Sequence, residues 1–188
     1  MDAPISTPQC LLRPLEEDDL EAFALYRSDP EVARYQSWWP PVLLEDARAL
    51  LARVRAAPFG TPGTWHQIAV TDSFTGTLLG DCAVHFLEDG RQIEIGFTLA
   101  RAHQGRGYMR EALPALLDHL FGPLATHRVH ARTDARNKPA IALLEHLGFR
   151  REAHFVQSDF FKGAWCDELV FACLATEWQA RRGAGSGT

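Results

Sequence analysis

Gln104, Gly105, Arg106, Gly107 and Tyr108 stand between a run of alternating apolar residues (Ile93, Ile95, Phe97, Leu99) and a run of helical periodicity (Ala112, Leu113, Leu116, Leu117, Leu120). A glycine-rich turn from strand to helix gathers backbone N–H groups that have no intrahelical partner, at the positive end of the helix dipole. Both favour phosphate oxygens, so the chemistry indicated is the grip of a phosphorylated cofactor. The same glycines also suit a turn that merely needs positive φ. In the strand before the turn the odd-numbered residues are apolar, and Glu94 projects from the other face beside Gly96. A carboxylate so placed can accept a proton, hold an amine substrate, or face water.

A second constellation follows in Asn137, Ala140, Leu147, Gly148 and Phe149, after a strand-like Arg128, Val129, His130 and Ala131. Together with EIGF (Glu94 to Phe97) and QGRGYM (Gln104 to Met109), it resembles the GNAT superfamily of N-acetyltransferases, most closely its RimJ/RimL-type branch, from about Leu11 to Trp178. The resemblance implies a mixed α/β fold with a central, mostly antiparallel sheet flanked by helices. It implies acetyl-CoA as co-substrate, with the pyrophosphate on the glycine turn and contacts from Phe97, Thr98, Leu99, Gln104, Gly105, Arg106, Gly107, Tyr108, Met109 and Asn137. Glu94 takes the place of the glutamate that serves as general base in some members. Asn137, before Lys138-Pro139, also has the sequence of a helix N-cap. Arg101 and Arg106 are candidates for neutralising CoA phosphates; Arg110 is expected on a solvated face. Trp38 and Trp39 fall where the superfamily builds one wall of the acceptor site, and Phe160, within Asp159 to Gly163, falls at the opposite wall.

Three positions make two departures from the family pattern. Met109 replaces a small residue, and Ala140 and Leu144 stand where members carry a serine or a tyrosine that protonates the departing thiolate. The implied reaction is direct attack of a primary amine on the thioester, without a covalent enzyme intermediate. The branch favours a protein α-amine as acceptor; a polyamine or an aminoglycoside is the alternative, and a CoA-binding sensor or interaction module without turnover is a third reading. At pH 7, neutralising an α-amine of pKa ~7.8 costs about 1 kcal/mol, whereas a lysine of pKa ~10.4 costs nearer ~5.

Composition fits this reading. The chain has 188 residues, 46% of them hydrophobic, enough to bury one sizeable core. Residues 1–178 are read as one domain and 179–188 as a small, polar, disordered tail. A net charge of -5 argues against a nucleic-acid partner. Cys10, Cys82, Cys166 and Cys173 form no C-x-x-C pair, and His103, His119, His127, His130 and His146 show no ligand spacing, so no metal site is expected. The histidines are read as surface or satisfied residues. Neither a leader nor an apolar run of membrane-spanning length is seen, and a soluble cytoplasmic protein is expected, with a second copy of the chain, as a homodimer, among its candidate partners.

The elements that must position these residues can be placed in outline. Strands are expected at Cys10 to Leu15, Trp65 to Thr71, Leu78 to Phe86, Gln92 to Leu99, 128 to 133, Phe149 to Val156 and Asp167 to Leu174. Helices are expected at Leu15 to Arg27, Leu44 to Arg55, after Gly107, and at 138 to 147. Pro114 predicts a kink or break in the helix after Gly107.

Overall fold

The structure is a computed structural model that describes Met1 and residues 3–185. Eight strands form one sheet in the order β1-β2-β3-β4-β5-β6-β8-β7. They are β1 (Ile5–Ser6), β2 (Cys10–Pro14), β3 (Trp65–Asp72), β4 (Leu78–Phe86), β5 (Gln92–Leu99), β6 (Arg128–Asp134), β7 (Arg150–Phe161) and β8 (Ala164–Leu174). Every pairing is antiparallel except β5 with β6. The mixed, mostly antiparallel α/β architecture expected from the sequence is therefore present.

Helices cover both faces. On one, α4 (Tyr108–Phe121) and α5 (Lys138–His146) bury Leu113, Leu116, Leu117, Leu120 and Leu144 against Ile68, Val84, Ile93, Ile95, Val129 and Phe171. On the other, α1 (Leu20–Arg27) and α3 (Leu44–Val54) pack Phe23, Leu51 and Val54 over Ala69 and Leu78. Complete burial of a leucine contributes about 1.5–3 kcal/mol, so the four buried leucines of α4 hold this helix firmly to the sheet. The firmness matters because α4 begins at the glycine turn.

Several expectations are corrected. A short β1 precedes the first expected strand, and the helix expected from Leu15 opens instead with a 3-10 turn, Glu17–Asp19. There Arg13 donates twice to the buried Asp19, at 2.6 and 2.8 Å. A four-residue α2 (Pro30–Ala33) was missed. Its signal was present: Asp29 accepts from the Glu31 N–H at 2.9 Å, and Pro30 occupies the first turn, where its missing N–H costs nothing. The α4 helix is not broken at Pro114. Buried Leu113, Leu116 and Leu117 on either side keep the turn packed despite one lost ladder bond. The segment Asp159 to Phe161 belongs to β7, and only Lys162 and Gly163, both at positive φ, form the hairpin turn. The segment from 179 is helical as far as Gly185, in α6 (Ala175–Gly185); 186–188 lie outside the described residues. Burial of Trp178, an Arg182–Asp118 ion pair at 2.8 Å, and donation by Arg181 to the His146 carbonyl account for the order of this helix.

Candidate active site

Parallel β5 and β6 share only three rungs, Gln92↔Arg128, Ile93↔Val129 and Glu94↔His130. Beyond the third rung the strands part. A groove of about 840 Å³ lies beyond this point, running past Phe97, Thr98 and Leu99 to the glycine turn, with Asn137 and Ala140 on its other bank.

The turn meets the physical requirements of a phosphate cradle. Gly105 and Gly107 have φ of +74° and +87°, and a Cβ at either would meet nothing within 4 Å. The space in front of them is open. Among the described residues no protein acceptor takes the N–H of Gly105, Arg106, Gly107 or Tyr108; the first bond into the helix runs from Glu111 N to the Gly107 carbonyl. Gln104 turns its side chain back and donates to the Leu99 carbonyl at 3.0 Å, tying the turn to the end of β5. Gly80 lets β4 lie close to this point, since a Cβ there would stand 2.1 Å from the Thr98 carbonyl oxygen. Asn137 Oδ1 accepts from the Ala140 N–H at 3.4 Å, so the residue caps α5 while also lining the groove. These features fit the pyrophosphate of a CoA thioester.

At the point of divergence, a row of polar side chains occupies the sheet face opposite α4. His85, Glu94 and His130 lie on adjacent strands in register. Glu94 Oε2 is 3.7 Å from His130 Nε2, and their side chains are 25% and 12% exposed. Burial pushes the Glu94 carboxyl above its ordinary range, against the pull of Arg132 and His85. Burial and the nearby Arg128 and Arg132 push His130 down to about 4. The imidazole is therefore neutral at pH 7, and the 3.7 Å approach is not an ion pair. Neighbouring carboxylates are engaged elsewhere: Glu152 pairs with Arg128 and Arg150, and Glu168 with Arg132, each at 2.5 Å. Glu94 accepts no hydrogen bond among the described residues, so its lone pairs are available to a proton donor. No group of His, Cys, Asp and Glu among the described residues is arranged to hold a metal ion.

Comparison with known proteins decides the family. The model of the acetyltransferase (GNAT) domain matches residues 9–150. The chain belongs to the GNAT acetyltransferase family. An uncharacterized N-acetyltransferase, p20, of Bacillus licheniformis is 30% identical over 174 residues, 92% of this chain and 96% of the relative. A GNAT-family acetyltransferase from Bacillus anthracis superposes with a TM-score of 0.82 at 27% identity, covering 93% of this chain and all of that one. Two further relatives match about half of each chain. They are a spermidine N(1)-acetyltransferase of Vibrio cholerae, 32% identical over 91 residues, and the ribosomal protein uS5-alanine N-acetyltransferase of Escherichia coli, 30% identical over 88. This GNAT chain is an acetyl-CoA-dependent N-acetyltransferase, and no helix of its described residues is long and apolar enough to cross a membrane.

Within this GNAT domain the residues expected from sequence are distributed unevenly around the groove. Phe97, Thr98, Leu99, Gln104, Gly105, Arg106, Gly107, Met109 and Asn137 line it, and so does Arg110, which sequence had placed on a solvated face. Tyr108 instead sets its ring edge-on to His103, at 6.2 Å. Arg101 also lines the groove, and it reaches Asp29 at 4.0 Å. Trp38 packs inward, its ring 3.9 Å from the Arg27 guanidinium and its Nε1 donating to the Arg27 carbonyl at 3.0 Å. Arg27 in turn donates to the buried Asp81 at 2.8 Å, which also accepts from Tyr26 and Gln67. Trp39 is 66% exposed, with Lys162 above its ring at 5.5 Å. Phe160 is 60% exposed and stands edge-on to Trp165 across the hairpin. None of these three lines the groove, whose near wall is Glu31, Val32, Arg34, Tyr35 and Gln36, from α2 and the residues after it. Sequence reading also passed over His85, and took His130 for a surface or satisfied residue. The signal was strand parity, which puts both on the face of Glu94.

Proposed function

We propose that this N-acetyltransferase moves the acetyl group of acetyl-CoA onto a primary amine by direct attack, that Glu94 is the proton acceptor, and that the acceptor class is the α-amine of a polypeptide, as in the RimJ/RimL-type branch. Residues 1–178 act in this reading as one catalytic domain in the cytoplasm. The observation that carries the assignment of Glu94 is its position: it sits on the last shared rung of β5 and β6, half-buried and without a hydrogen-bond partner among the described residues, three residues before Phe97, the first residue of β5 that lines the groove.

Acetyl-CoA supplies the activated acetyl group as a thioester. The N–H groups of Gly105 to Tyr108 hold its pyrophosphate, and Arg106 and Arg110 add positive charge along the same wall. Glu94 removes the proton that the amine must lose as its nitrogen bonds to carbon, and its raised proton affinity brings it closer to that task than an ordinary carboxylate. Leu144 is buried in the core and Ala140 carries no proton, so neither position supplies an acid. A thiol of pKa ~8.5 is a tolerable leaving group, and water suffices to protonate it.

The acceptor assignment rests on charge. A polyamine offers several cations and calls for several free carboxylates. On this face Glu152 and Glu168 are tied to arginines, and Glu31 lies 3.7 Å from Arg34. An acceptor with one reacting amine matches the one carboxylate left open at the rung. The test is incubation with acetyl-CoA and three acceptors: a lysine-free peptide with a free N-terminus, spermidine, and an aminoglycoside. The reading expects acetylation of the peptide. Transfer to spermidine alone would overturn the acceptor class, and CoA binding without transfer to any amine would leave a non-catalytic CoA-binding module.

A further inference from the structure

His130 and His85 flank Glu94 on neighbouring strands. Among the described residues the Nδ1 atoms of both are buried without a hydrogen-bond partner. A buried, unpaired ring nitrogen carries a desolvation cost, so its presence beside a candidate base calls for a reason. The His85 ring is held flat against Trp65, with centroids 4.4 Å apart and planes 8° from parallel. His130 lies on the last rung that β5 and β6 share, 3.7 Å from Glu94, so closer approach by less than an ångström makes a hydrogen bond.

We propose that His130 is a positioning residue that acts through Glu94, receiving the proton that Glu94 takes from the acceptor amine and passing it to solvent. The proposal rests on the reading of Glu94 as the base. The amine N–H bond breaks as an O–H bond forms at Glu94; that O–H bond breaks in turn as an N–H bond forms at His130 Nε2. The imidazolium then releases that same Nε2 proton to water, its Nδ1 being buried, and returns to the neutral ring, leaving Glu94 ionised for the next turnover.

The charged surroundings favour this traffic. Arg128 and Arg132 flank His130 on β6, Glu152 faces it from β7, Glu168 faces Glu94 from β8, and His85 stands on β4; β3 contributes Trp65 and Gln67, which carry no charge. Asp159 of β7 acts on Arg132. The arginines disfavour a lasting imidazolium, so a proton received by His130 does not stay. Burial raises the proton affinity of Glu94 and lowers that of His130, so a proton that reaches His130 is held only in passing.

The test compares wild type, His130→Gln and His130→Ala in steady-state acetyl transfer at pH 7, with CoA affinity by calorimetry as the control for an intact groove. Both variants should lose about tenfold in kcat with the KM for acetyl-CoA unchanged. Added imidazole should restore the His130→Ala rate in proportion to its concentration, a response that a purely structural role would not give. A wild-type kcat in His130→Ala, or a loss that imidazole does not relieve, overturns the proposal while leaving the transferase reading intact. A wild-type protein that acetylates no amine removes the reading of Glu94 as base, and this proposal with it.

Discussion

Replacing Gly107 by valine separates a phosphate cradle from an ordinary turn. Gly107 is the N-cap of α4 at φ +87° and ψ -7°, a left-handed conformation. An L-residue there costs roughly 1–2 kcal/mol, and a β-branched one stands at the upper end. The backbone has little freedom to escape, because Leu113, Leu116, Leu117 and Leu120 hold α4 against the sheet. The new side chain meets no protein atom, since a Cβ at this position has nothing within 4 Å. It projects instead into space beside the unpaired N–H groups. CoA affinity should fall at least tenfold, about 1.4 kcal/mol, beyond what the modest loss of stability explains. Gly107→Ala shares the backbone penalty with less bulk, so its affinity should lie between. Calorimetry with CoA, alongside thermal unfolding of each variant, reads both quantities. A folded Gly107→Val protein that binds CoA as wild type does would refute the cradle.

Gly80→Ala makes the opposite test, because its Cβ would lie 2.1 Å from the Thr98 carbonyl oxygen and 2.8 Å from Leu99 Cα. The end of β5 must shift; stability should fall by about 1–3 kcal/mol and CoA affinity with it, and an unchanged melting temperature would count against the close approach. Arg27→Ala strands the buried Asp81 and removes the support of Trp38, so a loss of about 3–5 kcal/mol is expected in urea unfolding, whereas less than ~1 would show the pair to be dispensable. His130 is lowered to about 4 from an ordinary 6.5, so between those values the unfolded chain binds more protons than the native one. Stability is therefore lost as pH falls through that window, by up to ~3 kcal/mol, and His130→Gln should lack that share. Identical pH dependence of unfolding in both proteins between pH 7 and 4.5 would contradict the assignment.

The sequence was most legible where periodicity was strong. Alternation in Gln92 to Leu99 and the leucines after Gly107 placed β5 and α4, and with them the whole glycine turn. The acceptor side was less legible, for physical reasons. Trp38 and Trp39 are conspicuous by type, yet an arginine stacked on Trp38 draws it inward, and the cation–π partner Arg27 lies eleven residues away with no local signature. The α2 helix is too short to show a period, although Asp29-Pro30 marks its start. His130 looked ordinary because its significance is cross-strand: the β5–β6 register, a product of the whole sheet, places it opposite Glu94. Helix α6 takes in the start of the polar tail, and its order depends on partners in α4 and α5, which composition cannot reveal.

Glu94→Gln tests the central claim most directly, because it keeps the shape of the side chain and removes the proton acceptor at the rung where β5 and β6 part. Acetyl transfer to the best acceptor and CoA affinity should be measured on the same preparation near pH 7. The account predicts a fall in kcat of roughly 10²-fold with CoA affinity unchanged. A Glu94→Gln enzyme that turns over at the wild-type rate would contradict it and place the base at another residue or in solvent.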